Sequence, residues 1–251
     1  MKDDRLAGRR ALVTGGGRRG GIGRASALAL AAAGADVFVA DFDRPAETAE
    51  VVDAIRTLGR RADSIQCDLR SVDACRRAVA ACVAALGGMD TLVNNAGFAQ
   101  PKPVAEISEE DWDAALALHL KAPFFLTQAA LPALRACLRP TVINIASEQA
   151  YIGAPQLCHY TAAKGGLRTL TKSLALALAP AITVNCVCPG PTATDKFKLG
   201  EEFRSGADKG LPRRRWATPE DVARTVLFLA SDDADSYTGQ TLDPNCGAVM
   251  D

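Results

Sequence analysis

The sequence predicts a single α/β domain, a Rossmann-type doubly wound parallel sheet with helices on both faces. Short apolar runs rich in β-branched residues alternate with longer helical stretches, the pattern of β-α-β units. A glycine-rich turn joins the first such run to the first helix. The chain of 251 residues, 48% hydrophobic and low in aromatics, can bury one large core over residues 1–251 without a second domain.

Taken in order, the strands are expected at residues 10–13, 37–40, 64–67, 91–94, 142–146, 182–187 and around Thr241, with an Ala/Leu-rich first helix over 22–33. Ser108 with Asp111, and Thr218 with Pro219 and Asp221, are helix starts, because a short hydroxyl side chain and an acid three residues on satisfy each other's backbone N–H groups. Residues 189–217 turn polar and lose periodicity. A substrate lid is expected there, at about 192–215. Its cations, Lys196, Lys198, Arg204, Lys209, Arg213, Arg214 and Arg215, are expected to favour a carboxylate or phosphate on the substrate.

Lys plus Arg number 29, as do Asp plus Glu, so no net field draws the chain to nucleic acid or an anionic membrane. The opening MKDDRLAGRR lacks the apolar centre of an export signal, and no apolar run is expected to span a bilayer. A cytoplasmic protein is the expectation, without nucleic-acid or membrane partners. Its eight cysteines are scattered through apolar segments with no Cys-x-x-Cys pair, and His119 and His159 lie far from any cysteine cluster of ligand spacing. The cysteines are therefore read as reduced core residues, with no metal site.

After the first strand comes Thr14-Gly15-Gly16-Gly17-Arg18-Arg19-Gly20-Gly21-Ile22-Gly23, leading into a helix. Glycines let backbone approach a pyrophosphate closely, and the free N–H groups at a helix N-terminus attract negative charge. Gly15, Arg18, Gly21, Ile22 and Gly23 are therefore cofactor-binding candidates. Asp41 ends the second strand, where a carboxylate accepts bonds from the adenosine ribose hydroxyls and repels a 2′-phosphate, so NAD is expected over NADP. Arg18, Arg19 and Arg44 are the groups able to oppose it.

That turn, Asn94-Asn95-Ala96-Gly97 after the fourth strand, Ser147, Tyr160-x-x-x-Lys164, and Asn185 through Pro189-Gly190 together resemble the short-chain dehydrogenase/reductase family, over nearly the whole chain. The resemblance, which includes 3-oxoacyl-carrier reductases, implies that Asp68 and Leu69 flank the adenine and that Asn95, Ala96 and Gly97 line the cofactor cleft. Pro189, Gly190, Thr192 and Thr194 are implied at the nicotinamide end, with Tyr160 and Lys164 also meeting the cofactor. It implies a homotetramer or homodimer formed through helices around 108–137 and 160–179 and the C-terminal strand.

Three departures stand out. Five residues separate Gly15 from Gly21 where the family pattern has three. His119 stands where the family has a helical Asn, and the C-terminal turn reads Asp243-Pro244-Asn245-Cys246-Gly247.

A phenol of pKa about 10 is a poor base at neutral pH. Lys164, one helical turn beyond Tyr160 on the same face, favours its phenolate. Tyr160 can then exchange a proton with a substrate oxygen that Ser147 polarises, with Gln149 also facing substrate. Imidazole titrates near neutrality, so His119 is a candidate proton relay or water holder.

The expected activity is hydride transfer between nicotinamide and a secondary alcohol or ketone, in the oxidative direction that NAD favours. A 3-oxoacyl-carrier reductase is the alternative, weakened by Leu176 where such reductases commonly offer a basic residue. A non-catalytic dinucleotide sensor is the alternative of another class.

Overall fold

Residues 4–194 and 210–250 are described by the computed structural model. Its strands are β1 (Arg10–Thr14), β2 (Asp36–Asp41), β3 (Ala62–Gln66), β4 (Thr91–Asn94), β5 (Thr141–Ile145), β6 (Thr183–Val187) and β7 (Thr241–Leu242). They form one seven-stranded sheet in the order β3-β2-β1-β4-β5-β6-β7, every pairing parallel. The expected doubly wound sheet is present. Bounds differ from expectation by one or two residues, most at β3, because pairing of Val37 with Ala62 draws that strand's start back onto β2.

The helices are α1 (Ile22–Ala32), α2 (Pro45–Thr57), α3 (Val72–Leu86), α4 (Glu109–Leu116), α5 (Ala122–Arg135), α6 (Gln149–Ile152), α7 (Cys158–Leu178) and α8 (Pro219–Ala230). α1, α2 and α8 bury Leu30, Val51 and Val222 against one face of the sheet. On the other face α3, α5 and α7 bury Cys82, Leu126 and Leu174. Central strands covered on both sides are buried at successive positions rather than alternately, as β5 is at every residue, its polar Asn144 satisfied by Asn94 and Thr171. On α7, one of the helices implied in subunit contact, Ala175 belongs to this core, while Ala177 and, just past the helix, Ala179 are exposed.

Both expected capping boxes form. Asp111 N–H donates to Ser108 Oγ at 3.2 Å and Asp221 N–H to Thr218 Oγ1 at 3.2 Å, each acid accepting in return from the cap's backbone N–H. Thr218→Ala removes one of these acceptors and is expected to cost about 1 kcal/mol. A denaturant titration reads this as a lower midpoint at unchanged slope.

Between α4 and α5 the helix widens into one π turn, Ala117–Lys121, so that residues Glu109–Arg135 run as one continuous helix. By length and composition this run could cross a bilayer, a test that the core helix of a soluble protein also passes, and it holds no unbroken apolar run of bilayer length. In the fold it packs on α3 and α7. None of the eight cysteines is in a disulfide, and among the described residues no three His, Cys, Asp or Glu side chains gather as a metal-ligand set.

Candidate active site

The sheet order reverses between β1 and β4, and parallel sheets of this kind bind ligands in the crevice at the carboxyl ends of such strands. A cleft of about 600 Å³ opens there. It is lined by every one of the predicted site residues: Gly15, Arg18, Gly21, Ile22, Gly23, Asp41, Asp68, Leu69, Asn95, Ala96, Gly97, His119, Ser147, Gln149, Tyr160, Lys164, Pro189, Gly190, Thr192 and Thr194.

The glycine turn is a cradle that side chains would fill. A Cβ on Gly15, whose φ is +68°, would lie 2.8 Å from Ala96 Cα, and one on Gly23 would overlap the Gly15 carbonyl. Asn95 locks the turn from beneath, its Nδ2 donating to the carbonyls of Thr14 at 2.8 Å and Gly15 at 3.2 Å. At the start of α1 the N-cap is Gly21, no side chain caps the helix, and no acid sits in its first turn. Open N–H groups and a positive helix end fit a pyrophosphate.

The two extra residues are absorbed by a tight turn in which Gly21 N–H donates to Arg18 O at 3.1 Å and Gly20 takes φ +59°. Arg18 lines the cleft, whereas Arg19 turns away to pair with Glu50.

Asp41 is more committed than its sequence position implies. Its Oδ2 accepts from Gly17 N–H at 2.5 Å and its Oδ1 from Phe42 N–H at 2.7 Å, so it clips the glycine turn to the end of β2. Burial pushes its carboxyl above the usual range, against those two hydrogen bonds and Arg44, whose Nη1 stands 3.7 Å away. Asp68 pairs with Arg70, which holds it below the usual range, beside the buried Leu69.

β5 delivers Ser147 to the cleft's far end, and the first turns of α7 deliver Tyr160 and Lys164 on one face. Burial pushes the Tyr160 phenol up to about 12, opposed by a hydrogen bond with Ser147. Lys164 is 4% exposed, and burial pushes its amine down to about 8. Its Nζ donates to Ile145 O at 2.6 Å and lies 5.8 Å from the Tyr160 ring centre. Further in, Asn94 Nδ2 donates to Asn144 Oδ1, and Asn144 Nδ2 donates to Thr171 on α7, tying β4, β5 and α7 into one frame.

His119 sits in the π turn, 1% exposed. Its Nε2 donates to Phe98 O at 2.8 Å, which leaves Nδ1 as the acceptor nitrogen. The ring stands edge-on to Tyr160 with centres 5.1 Å apart. Gly97 is required beside it, since a Cβ there would lie 2.5 Å from His119 Cε1.

In the altered C-terminal turn, Asn245 presses on Gly190 and holds its own loop by donating to Val249 O at 2.7 Å. Asp243 accepts from Tyr151 OH at 3.1 Å.

Of the expected lid, residues 195–209 lie outside the described residues, Lys196, Lys198, Arg204 and Lys209 with them. Thr192 bridges to Ala217 and donates to Gly190 O, which brings Trp216 into the cleft wall. Arg215 pairs with Asp221 at 2.5 Å, while Arg213 and Arg214 are exposed. Arg44, expected to oppose Asp41, lines the cleft, as do Phe98, Glu148 and Trp216, which the sequence did not single out as part of it. Only an acid directly after Ser147 carried a signal, and it reads as a solvated strand end.

The family described as enoyl-(acyl carrier protein) reductase matches residues 15–248 of the chain. A 3-oxoacyl-[acyl-carrier-protein] reductase of Staphylococcus aureus is 37% identical over 96% of this chain and 98% of its own. The 2-dehydro-3-deoxy-D-gluconate 5-dehydrogenase of Escherichia coli is 36% identical over 94% of each. Among solved structures, a blue fluorescent protein from a metagenomic library in complex with NADPH superposes with a TM-score of 0.92 and 33% identity, over 98% of this chain and all of that one.

Proposed function

Because this chain belongs to the short-chain dehydrogenase/reductase family and is an NAD(P)-dependent oxidoreductase, we propose that it moves a hydride between nicotinamide and a secondary alcohol or ketone carbon, with Tyr160 as the general acid and base. The observation that carries this reading is the meeting of Ser147, Tyr160 and Lys164 at one end of a cleft whose other end is the glycine cradle.

A dinucleotide held by the turn, Asp68, Leu69 and the 189–194 segment supplies or accepts the hydride. Ser147 and Tyr160, already hydrogen-bonded to each other, both reach for the substrate oxygen. In reduction Tyr160 gives its proton to that oxygen, and burial keeps the phenol protonated at neutral pH for the purpose. In oxidation it must take a proton, and the Lys164 ammonium stabilises the phenolate that does so. We assign His119 as the relay or water-holding residue on the far side of the tyrosine, its tautomer set by Phe98.

The reading of the cofactor keeps NAD ahead of NADP, supported by a carboxylate at Asp41 in the cleft; Arg18 and Arg44 line the same wall, and an NADPH-bound relative opposes it. Asp41→Asn removes the charge and keeps one acceptor, which the Gly17 N–H can use while the Phe42 N–H loses its own, so the NAD-to-NADP ratio of kcat/KM is expected to fall about tenfold. If the unmodified protein already favours NADP, the arginines have overridden the acid.

The activity is tested by following reduced-cofactor absorbance over sugars, diols, hydroxy acids and steroid-like alcohols, with the matching ketones in reverse. Binding of cofactor with no turnover on any of them overturns the reading. The Staphylococcus relative favours a 3-oxoacyl-carrier substrate as a second reading, against which Leu176 offers an apolar, 85% exposed side chain to any acidic carrier. Leu176, Trp112 and Phe124, exposed on the long helices, support assembly as a homotetramer or homodimer. A cytoplasmic location completes the reading.

A further inference from the structure

Glu148 is an acid that neither the fold nor the mechanism above employs. It follows Ser147 at the end of β5, and its backbone N–H is fixed by donation to Pro189 O at 3.0 Å. Only 9% of the residue is exposed, yet Oε2 has no hydrogen-bond partner. No opposing charge or hydrogen bond offsets its burial, which pushes the carboxyl up to about 7. The other buried acids are satisfied, Asp41 by Gly17 and Phe42, and Asp90 by Arg10 and Thr91. A buried acceptor left open is costly and calls for an occupant.

We propose that Glu148 is a specificity-determining residue that hydrogen-bonds a hydroxyl on the substrate carbon next to the one exchanging hydride, which makes the preferred substrates vicinal diols, hydroxy ketones and sugar-like polyols. This deepens the alcohol/ketone reading and rests on it.

One observation and two chemical arguments point the hydroxyl there. Glu148 lines the cleft together with Ser147 and Tyr160, and it is near enough to the phenol to raise it electrostatically. Glu148 follows Ser147 directly, with Cα atoms about 3.8 Å apart, so the two side chains leave the same rim of the cleft, and a hydroxyl next to the reacting oxygen is the nearest substrate group for the carboxyl to meet. A carboxyl near neutrality both accepts and donates, which matches a hydroxyl. An ammonium would meet Lys164 in the same cleft, and an unbroken hydrocarbon chain would bury the carboxyl with nothing to bond.

The test compares matched pairs, 2,3-butanediol with 2-butanol and acetoin with 2-butanone, in the full-length protein with cofactor. The hydroxylated member is expected to have a kcat/KM at least tenfold higher. Glu148→Leu is expected to lower that ratio tenfold or more, chiefly through KM of the hydroxylated member, and Glu148→Gln, which keeps an acceptor and a donor, to retain most of it. Cofactor affinity and thermal midpoint of each variant report folding, and if the Leu variant fails to fold, Glu148→Ala replaces it.

A ratio near one in the unmodified protein overturns the proposal. So does an equal loss on both members or a weakened cofactor affinity, which would assign Glu148 to the cofactor. If no pair is turned over, the alcohol/ketone reading has failed. Quenching of reduced-cofactor fluorescence by the diol then still decides whether Glu148 binds it, equal quenching by the mono-alcohol counting against.

Discussion

Tyr160→Phe is expected to lower kcat about a thousandfold, in both directions, while the dissociation constant for reduced cofactor changes less than about threefold. Only one oxygen is lost, and it is the atom that exchanges the proton. The ring remains to meet His119 edge-on and to fill the wall beside Lys164, so the glycine cradle at the other end of the cleft keeps its shape. Single-turnover kinetics with cofactor binding measured on the same sample checks this. A variant with comparable turnover would remove Tyr160 from the chemistry, and one that lost cofactor affinity to the same degree would make its role structural.

Lys164→Met is expected to cost a comparable factor in kcat and to alter the pH profile, because the ammonium acts through its charge. Burial takes this amine from its ordinary 10.5 down to about 8, so the charge is present below that value and is lost as pH rises through it. In the unmodified protein, ketone reduction is therefore expected to fall above about pH 8, since the phenolate left after proton donation loses its stabilising neighbour. In the Met variant that alkaline limb is expected to vanish, along with most of the rate.

Stability runs the other way. Between about 8 and 10.5 the unfolded chain holds the Lys164 proton and the folded chain does not, so this residue alone makes the fold gain stability as pH rises across that window. Rate and thermal midpoint measured from pH 6 to 10 separate the two effects. A reduction profile unchanged by the substitution would leave the lysine without an electrostatic role.

What was legible in the sequence was local. Apolar runs of β-branched residues announced β1, β2, β4, β5 and β6 to within one residue, because a strand buried on both faces needs that composition whatever it pairs with, whereas the part-exposed edge strand β3 was placed two residues late. Ser108 and Thr218 announced their helices, because a capping box is closed by residues three apart. The glycine turn and the Tyr160–Lys164 spacing likewise state their geometry within one turn of chain.

Partnership over long distances was decided only by the fold. Asp41 spends both oxygens on Gly17 and Phe42, a contact across 24 residues that no pattern encodes. Arg18 and Arg19 look alike in sequence, yet one faces the cleft and the other is drawn off by Glu50 on α2. His119 has its tautomer set by Phe98, 21 residues away. Glu148 reads as a solvated acid at a strand end, yet in the fold it is buried beside the segment after β6, where its backbone N–H donates to Pro189 O. Propensity and capping are energies of a few consecutive residues, whereas burial and hydrogen-bond choice depend on which distant segments the sheet order brings together, and that order determined which polar groups were left open to a ligand.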